Sequence, residues 1–364
     1  MDTRRYAPEH ADVFLPPAAH QFPEPYPGRV IEVYHPGAVA VGGVQHRAVT
    51  AMVGRGMREL AGVSRTDDAW RVWFAPGDVV GIKVNAVGRP AAISSFALVD
   101  AVVSGLIQAG VTARDIIVFD RYQRHLHEAG YLTHLPDGVH WDAPSVDWDP
   151  VQTALDGYDP AVYWEPALPS GDACMPQPCE VRRSHLCLIV SRYVNKVINL
   201  PVLKDHGVAG VSLALKNMSH GLVNNVARSH ASPASSTCRT FIPDICAMPE
   251  IRRKVVLHIL DGTRAVFDGG PLAPASTTWA HRTLYFATDP VALDRIGWAA
   301  VDAKRRAVGL PPVAEAKAHL FGEPPPTDRP TALRQPQHIT RAGDLDLGVA
   351  DLARIDHRRI AVRE

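Results

Sequence analysis

The stretch VINLPVLKDHGVAGVSLALKNMSHG, residues 197–221, decides the fold of this chain. It passes from an apolar strand pattern into a helical pattern, as a strand-to-helix unit of an α/β protein does. Lysine, histidine, aspartate and asparagine side chains interrupt both patterns, where packing of a core should favour apolar residues. Polar groups at such a junction favour a functional site over a purely structural role.

Strand and helix patterns alternate through most of the remaining chain. Strand patterns occupy residues 30–35, 78–85, 115–120, 186–190, 194–202, 255–261 and 283–289. Helical periodicity occupies residues 44–62, 96–110, 210–223, 240–248 and 290–309. This order predicts an α/β fold with two lobes, in which mostly parallel sheets are flanked by helices. We expect the active cleft at the C-terminal ends of the strands.

Composition and pattern divide the chain into five segments. We predict an extended N-terminal arm (1–29), an N-terminal α/β lobe (30–133), an irregular insertion or lid (134–180), a second α/β lobe that carries the main motifs (181–308), and a Pro-rich C-terminal segment with a closing helix and strand (309–364).

The charge balance indicates a small-molecule ligand. Lys and Arg total 38, as do Asp and Glu, so the formal charge is zero and neither nucleic acid nor an anionic membrane is an expected partner. A neutral surface is compatible with a homodimer. Arg4-Arg5 resembles the start of a twin-arginine leader, but no apolar segment follows it, so we expect a cytoplasmic protein, with a trimmed exported form as the alternative.

The sequence contains neither a cysteine motif for an iron–sulfur cluster nor a glycine motif for a nucleotide. The five cysteines form no C-x-x-C pair, so no iron–sulfur cluster motif is present. No G-x-G-x-x-G or P-loop occurs, so no nucleotide motif is present either. A reduced intracellular protein is the simplest interpretation, and a Cys174–Cys179 disulfide is the alternative.

Polar residues follow four of the predicted strands. They are Lys83 and Asn85; Asp120 and Arg121; Lys204, Asp205 and His206; and Asp261, Arg264 and Asp268. The ends of strands in one sheet meet at one edge, so these side chains should line a single cleft. The alternative is structural, because an aspartate at the end of a strand often caps the next helix.

The residues of 197–221 suggest acid–base chemistry. Lys216 and His220 are four residues apart and share a helix face. A lysine on a buried helix has a lowered pKa and acts as a base or nucleophile, unless it pairs with Asp205 or Asp120. Gly207 and Gly210 would let backbone N–H groups approach an anion.

These considerations give three sets of candidate residues. The catalytic candidates are Lys204, His206, Lys216 and His220. The substrate-binding candidates are Lys83, Asn85, Arg121, Gly207, Asn217 and Arg264. The candidate ligands for a divalent metal are His206, His220, His230, Asp205, Asp120, Asp261 and Asp268, with Asp244 as a further carboxylate. His125 and His127 follow Asp120 closely enough to reach the cleft, but we expect them more often at the surface.

Several blocks of the sequence resemble the DUF362 family, a family named for its unknown function. They are GDVVGIKVN (77–85), the segment 98–120, VINLPVLKDHGVAGVSLALKNMSHG, LDGTRAVFDGGP (260–271) and ATDPVALD (287–294). Many members carry an added ferredoxin module and a twin-arginine leader, and this sequence shows neither motif. The order of elements is also similar to that of lactate-racemase-like proteins, which implies a histidine and a lysine near a cleft between two lobes.

The expected function is that of an enzyme acting on a small anionic or carbonyl-containing metabolite. Lys/His acid–base chemistry, with or without a divalent metal, fits an isomerase, racemase or lyase. The sequence is also compatible with two other functions. One is a non-catalytic protein that binds a metabolite or metal, and the other is a redox enzyme that uses a bound or partner-supplied cofactor.

Overall fold

Alternating apolar residues build the strands of one central sheet. The computed structural model describes residues 4–6, 19–166, 182–230, 237–320 and 332–363. Its strands are β1 (Arg29–Tyr34), β2 (Val39–Ala40), β3 (Gly43–Val44), β4 (Val80–Lys83), β5 (Ile116–Phe119), β6 (His140–Asp142), β7 (Tyr158–Trp164), β8 (Ser184–Cys187), β9 (Lys196–Asn199), β10 (Val202–His206), β11 (Gly210–Val211), β12 (Val255–Val266), β13 (Thr278–Ala287) and β14 (Asp356–Ala361).

Helices cover both faces of this sheet. They are α1 (His46–Ala61), α2 (Thr66–Arg71), α3 (Phe96–Gln108), α4 (Gln123–Ala129), α5 (Tyr131–His134), α6 (Ala214–Ser219), α7 (Cys238–Cys246), α8 (Pro249–Lys254), α9 (Pro290–Ala307) and α10 (His338–Asp344). Two helix boundaries predicted from the sequence, the end of α1 and the start of α3, are confirmed. Gly62 ends α1 with φ of 71°, and the Ser95 side chain accepts from the N–H of Leu98 at the start of α3.

The central sheet has ten strands, most of them paired in parallel. Its order is β14-β1-β13-β12-β9-β4-β5-β6, and β10 and β11 extend it beside β12. The antiparallel pairs are β1 with β13, β12 with β13, and β10 with β11. The predicted α/β class with a largely parallel sheet and flanking helices is therefore confirmed.

Strands from both predicted lobes belong to this one sheet. β4 lies in the segment 30–133 and pairs in parallel with β9 of the segment 181–308, with Val80 opposite Lys196 and Lys83 opposite Asn199. The two segments therefore share a single sheet rather than having one sheet each. The carboxyl ends of their strands consequently meet at a common edge.

Three elements differ from the sequence prediction. Pro201 lacks an N–H and separates β9 from β10, although one strand was expected there. The strand expected to end at Asp261 continues to Val266, because its second half pairs with β10. The expected long helix shrinks to α6, whose first N–H groups, those of Ala214 and Leu215, donate to the Asp294 carboxylate.

Two apolar cores lie on opposite faces of the sheet. Consecutive residues of one strand enter different cores: Ile259 packs with the α1 and α3 side, and Leu260 packs with the α7 and α9 side. This alternation is what strand geometry requires of a strand covered on both faces. No helix among the described residues is long and apolar enough to span a membrane.

The contact between α1 and β13 gives a test of the packing. A Cβ built on Gly56 would lie 2.2 Å from the Phe286 ring, whereas one built on Gly54 would meet nothing closer than 3.5 Å. We expect Gly56→Ala to lower the free energy of unfolding by about 1–3 kcal/mol, because the ring must move. Gly54→Ala is the matched control and should be neutral or stabilising by up to about 1 kcal/mol, since alanine favours helix.

Urea denaturation of the two variants measures these differences. Equal stability of Gly56→Ala and the wild-type protein would contradict the packing described between this helix and Phe286.

Candidate functional site

A cavity of about 430 Å³ opens at the carboxyl edge of the sheet. Most of the predicted site residues line it: Lys83, Asn85, Asp120, Arg121, Lys204, His206, Lys216, Asn217, His220 and His230. They come from β4, β5, β10, α6 and the loop after α6, which the sheet order brings together. The expectation that strand ends converge on one cleft thus agrees with where these side chains lie.

A buried ion pair joins the ends of β4 and β5. Lys83 Nζ donates to Asp120 Oδ1 at 2.7 Å, to the Val84 carbonyl at 2.7 Å and to Asn217 Oδ1 at 3.2 Å. Burial alone would raise the pKa of Asp120, but Lys83 and the N–H of Ala86 hold this pKa below its ordinary value. Asp120 is therefore a charged structural partner of Lys83 and has little capacity left for a ligand.

Glycine provides the space that Lys83 occupies. A Cβ on Gly221 would lie 2.2 Å from the Asn217 carbonyl oxygen and 2.6 Å from Cε of Lys83. A larger residue at position 221 would displace the lysine from its partners.

An amide network links the ion pair to Lys204. Asn85 Nδ2 donates to Asn217 Oδ1 at 3.0 Å, and Asn85 Oδ1 accepts from Lys204 Nζ at 2.8 Å. Lys204 Nζ also donates to the Pro271 carbonyl at 3.2 Å. Burial and repulsion by other lysines lower the pKa of Lys204 to about 7, although Asp120 opposes this shift.

Lys216 differs from the other two lysines of the cavity. Its side chain is only 7% exposed and lines the cavity, yet among the described residues its amine makes no hydrogen bond and no ion pair. Burial lowers its pKa to about 8; Arg121 adds to this shift, and Cys238 opposes it. The alternative predicted from the sequence, a pair with Asp205 or Asp120, is not what the structure shows.

Three histidine rings pack against one another in the cavity wall, in tilted and edge-on arrangements. The ring centroids of His206 and His230 are 5.1 Å apart, and those of His220 and His230 are 4.8 Å apart. Burial lowers all three pKa values well below 6.5, and the Lys216 charge lowers them further. The three imidazoles are therefore neutral at pH 7.

Arg121 adds a further positively charged side chain to the cavity wall. Its Nη2 donates to Gln152 Oε1 at 2.9 Å, and its guanidinium lies 4.9 Å from the centre of the Tyr122 ring. Its Nε is buried and has no hydrogen-bond partner within the described part of the chain. Among the described residues that line the cavity, Asp120 is the sole carboxylate.

Five predicted residues lie outside the cavity. They are Gly207, Arg264, Asp205, Asp261 and Asp268. The N–H of Gly207 donates to the Gly270 carbonyl, and the α6 N–H groups are taken by Asp294, so neither is free for an anion. Asp261 and Arg264 lie within β12 rather than at its end, because that strand continues past them.

The three aspartates outside the cavity have structural partners. Asp205 accepts from the N–H of Gly270 and pairs with Arg334, and Asp268 pairs with Arg305 and Arg334. The Asp261 carboxylate accepts from the N–H groups of Ser95 and Thr263. Asp244, the further carboxylate, pairs with Arg341. The structure thus does not bring these carboxylates together with the histidines.

The nitrogen and sulfur ligands for a metal are better placed than the carboxylates. One donor atom each of His220, His230 and Cys238 lies within 4.8 Å of the others. Imidazole and thiolate suit zinc or copper. However, the Lys216 and Arg121 charges act on the same histidines, so the local field opposes a cation.

Sequence reasoning missed several residues of the cavity wall. His125, expected at the surface, lines the cavity from α4, which begins shortly after β5; its position near that strand end was the available signal. Trp148 and Gln152 come from the irregular segment 134–180, where no pattern could locate them. Cys174 and Cys179, the alternative disulfide, lie outside the described residues.

Comparison with known proteins supports the resemblance noted from the sequence. Residues 170–299 match the family model of a domain of unknown function, DUF362. This range contains the stretch 197–221 and therefore the lysines and histidines that line the cavity from β10 and α6. A comparison with curated proteins found no match.

The contribution of the buried Lys83–Asp120 ion pair to stability can be tested by substitution. We expect Lys83→Met to lower the free energy of unfolding by about 3–5 kcal/mol, because Asp120 is left charged and unpaired. The free energy of unfolding should fall less in the double variant Lys83→Met/Asp120→Asn than the sum of its losses in the single variants Lys83→Met and Asp120→Asn. Arg55→Met, at the exposed pair with Glu59, is the control and should change stability little.

Chemical denaturation of the four variants measures these energies. Additive losses from the two single substitutions would show that Lys83 and Asp120 do not stabilise each other.

Proposed function

We propose that this DUF362 protein is an enzyme that binds a small carboxylate in the cavity and transfers protons on a carbon beside a carbonyl or hydroxyl group. The reaction class is isomerisation, racemisation or a lyase step, with Lys216 and the histidines as acid–base groups. The proposal is carried by one observation. The Lys216 amine is buried in the cavity wall and has no partner among the described residues.

The charge balance of the cavity supports an anionic ligand. Lys83 and Asp120 neutralise each other, while Lys204, Lys216 and Arg121 have only neutral or no hydrogen-bond partners. Buried cations without counter-charges are unfavourable, so an anion that enters the cavity restores the balance. The volume of about 430 Å³ is within the usual range for a small-molecule site.

The lysine pKa values suit proton transfer at neutral pH. With a pKa of about 8, Lys216 is present both as ammonium and as free amine near pH 7 to 8. A group with such a pKa can give a proton to the oxygen on which negative charge develops and take it back. The nearby cations, Lys204 and Arg121, would stabilise the negative charge that develops on the carbonyl oxygen.

A metal-assisted form of this proposal would use the nitrogen and sulfur donors. If a zinc-type ion bound there, His220, His230 and Cys238 would hold it and it would supply Lewis-acid polarisation of a carbonyl group. The charges of Lys216 and Arg121 oppose a cation, however, so the metal-free form is the one we propose. The roles of Lys216, Lys204 and Arg121 toward the carboxylate are the same in both forms.

Proton exchange provides the test of catalysis without knowledge of the final product. The protein is incubated in D₂O with a panel of small 2-oxo and 2-hydroxy carboxylates, and NMR follows the loss of the proton on the carbon beside the functional group. We expect exchange with at least one compound, and a loss of about 100-fold or more in Lys216→Met. Lys317→Met, on an exposed lysine, is the matched control.

One result would reject the enzyme, and another would reject the role of Lys216. Binding of a carboxylate with no exchange would identify the non-catalytic binding protein instead. Undiminished exchange in Lys216→Met would remove the lysine from the mechanism.

The pH dependence of carboxylate binding is a second prediction. A carboxylate prefers the protonated amines, so binding takes up protons and weakens as pH rises through about 7 for Lys204 and about 8 for Lys216. Above these values the affinity should fall by up to about tenfold per pH unit for each amine. The histidines stay neutral over this range and add no step of their own.

Isothermal titration between pH 6 and pH 9 measures this profile. Lys216→Met should leave a single step, that of Lys204, and this step should lie above pH 7, because the repulsion from Lys216 that lowers the Lys204 pKa is gone. An affinity that rises with pH would contradict the assignment of an anionic ligand to these lysines.

A further inference from the structure

The three histidines of the cavity are not equivalent, because their hydrogen bonds fix different tautomers. The Nδ1 of His206 accepts from the N–H groups of Val208 and Ala209, both at 3.1 Å. A neutral imidazole has one N–H and one lone pair. The proton of His206 is therefore on Nε2, and this residue presents a donor to the cavity rather than a base.

Ser229 determines the tautomers of the other two rings. Its hydroxyl donates to the Val226 carbonyl at 2.7 Å. A hydroxyl has one proton, so the oxygen must accept from both neighbouring rings, from Nε2 of His220 at 2.8 Å and from Nδ1 of His230 at 2.9 Å. His220 therefore carries its proton on Nε2, and His230 carries its proton on Nδ1.

The remaining nitrogens of these two rings have different surroundings. Nδ1 of His220 lies 3.1 Å from the Ser219 hydroxyl, whose single proton can be donated to it or, over the longer distance of 3.3 Å, to the Lys216 carbonyl. Nε2 of His230 is buried and has no hydrogen-bond partner among the described residues. Of the three neighbouring rings, His230 is thus the one whose basic nitrogen has no hydroxyl or N–H donor beside it among the described residues.

We propose that His230 is the proton acceptor of the cavity and that Ser229 is the positioning residue that keeps its Nε2 unprotonated. The inference rests on the proposed function and specifies it. The substrate is a small carboxylate that places an acidic C–H or O–H group at Nε2, while its carboxylate binds the lysine side of the cavity.

The proton transfer balances without another reactant. The substrate's C–H bond breaks and its electron pair remains on the substrate as an enolate, while the proton forms a new N–H bond at Nε2 of His230. The resulting imidazolium keeps its Nδ1–H on the Ser229 oxygen. Return of a proton from Nε2 to a carbon of the substrate restores the neutral ring and completes an isomerisation or racemisation, and exchange of this N–H proton with solvent before its return brings deuterium into the substrate in D₂O.

Nitrogen NMR on histidine-labelled wild-type protein tests the tautomers directly, whether or not any substrate is known. Long-range ¹H–¹⁵N spectra at pH 7 should show His230 with Nδ1 protonated and Nε2 unprotonated, and His206 with the opposite pattern. Assignment comes from His230→Gln. In Ser229→Ala the fixed pattern of His230 should be lost, and Ser229→Thr, which keeps the hydroxyl, should restore it.

The exchange assay then tests the chemical role. His230→Gln should reduce exchange by about 100-fold or more, whereas the control His127→Gln, at an exposed histidine, should not. Ser229→Ala should reduce exchange and Ser229→Thr should recover most of it.

The failures of the two proposals are distinguishable. A protonated Nε2 in wild-type His230, or full exchange in His230→Gln, overturns the proposed role of His230 but leaves the proposal of an enzyme intact. Absence of exchange in the wild-type protein overturns the enzyme and the role of His230 with it. A stoichiometric metal that purified wild-type protein retains and that His230→Gln and Cys238→Ser both lose also overturns it, because the metal would occupy the lone pair.

Discussion

The Lys83–Asp120 ion pair fixes the geometry on which the cavity depends. It joins the ends of β4 and β5, and through Asn217 it also holds α6 against the sheet. Both charges are buried, so each requires the other, and neither can turn toward a ligand without a large desolvation cost. The pair therefore keeps the surrounding side chains of the cavity in fixed positions. Gly221 contributes to this geometry, because a side chain at that position would displace Lys83.

The polar residues of the cavity consequently divide into two kinds. Some have their hydrogen-bonding capacity filled by the protein, as in the ion pair and the asparagine network. Others keep a donor or an acceptor unused among the described residues, and these include the Lys216 amine, Nε of Arg121 and the Nε2 lone pair of His230. A buried polar atom without a partner destabilises the folded protein. Its presence here is best understood if a ligand supplies the missing partner.

The sequence predicted the class of fold and the edge of the sheet at which many of its candidate residues lie, but not which polar residues lack partners. Strand patterns placed Lys83 and Asp120 at the strand ends, the helix pattern placed Lys216 near them, and all three line one cavity in the structure. Asp261 was misplaced, because the length of β12 depends on pairing with β10, a contact that is not local in sequence. The hydrogen-bonding position of Ser229 could not be foreseen at all. It depends on distances of less than 3 Å between three side chains, which no spacing in the sequence encodes.

The position of β1 in the sheet has a consequence for how the chain folds during synthesis. β1 lies between β13 and β14, so its hydrogen-bonding partners are residues 278–287 and 356–361. At about 5–20 residues per second, the delay before the first of these partners emerges is on the order of tens of seconds. Throughout that interval Val30, Ile31 and Val33 lack both strands with which they pair in the folded protein. The placement of β1 therefore depends on contacts between residues far apart in the sequence, which form late because long loops must close first.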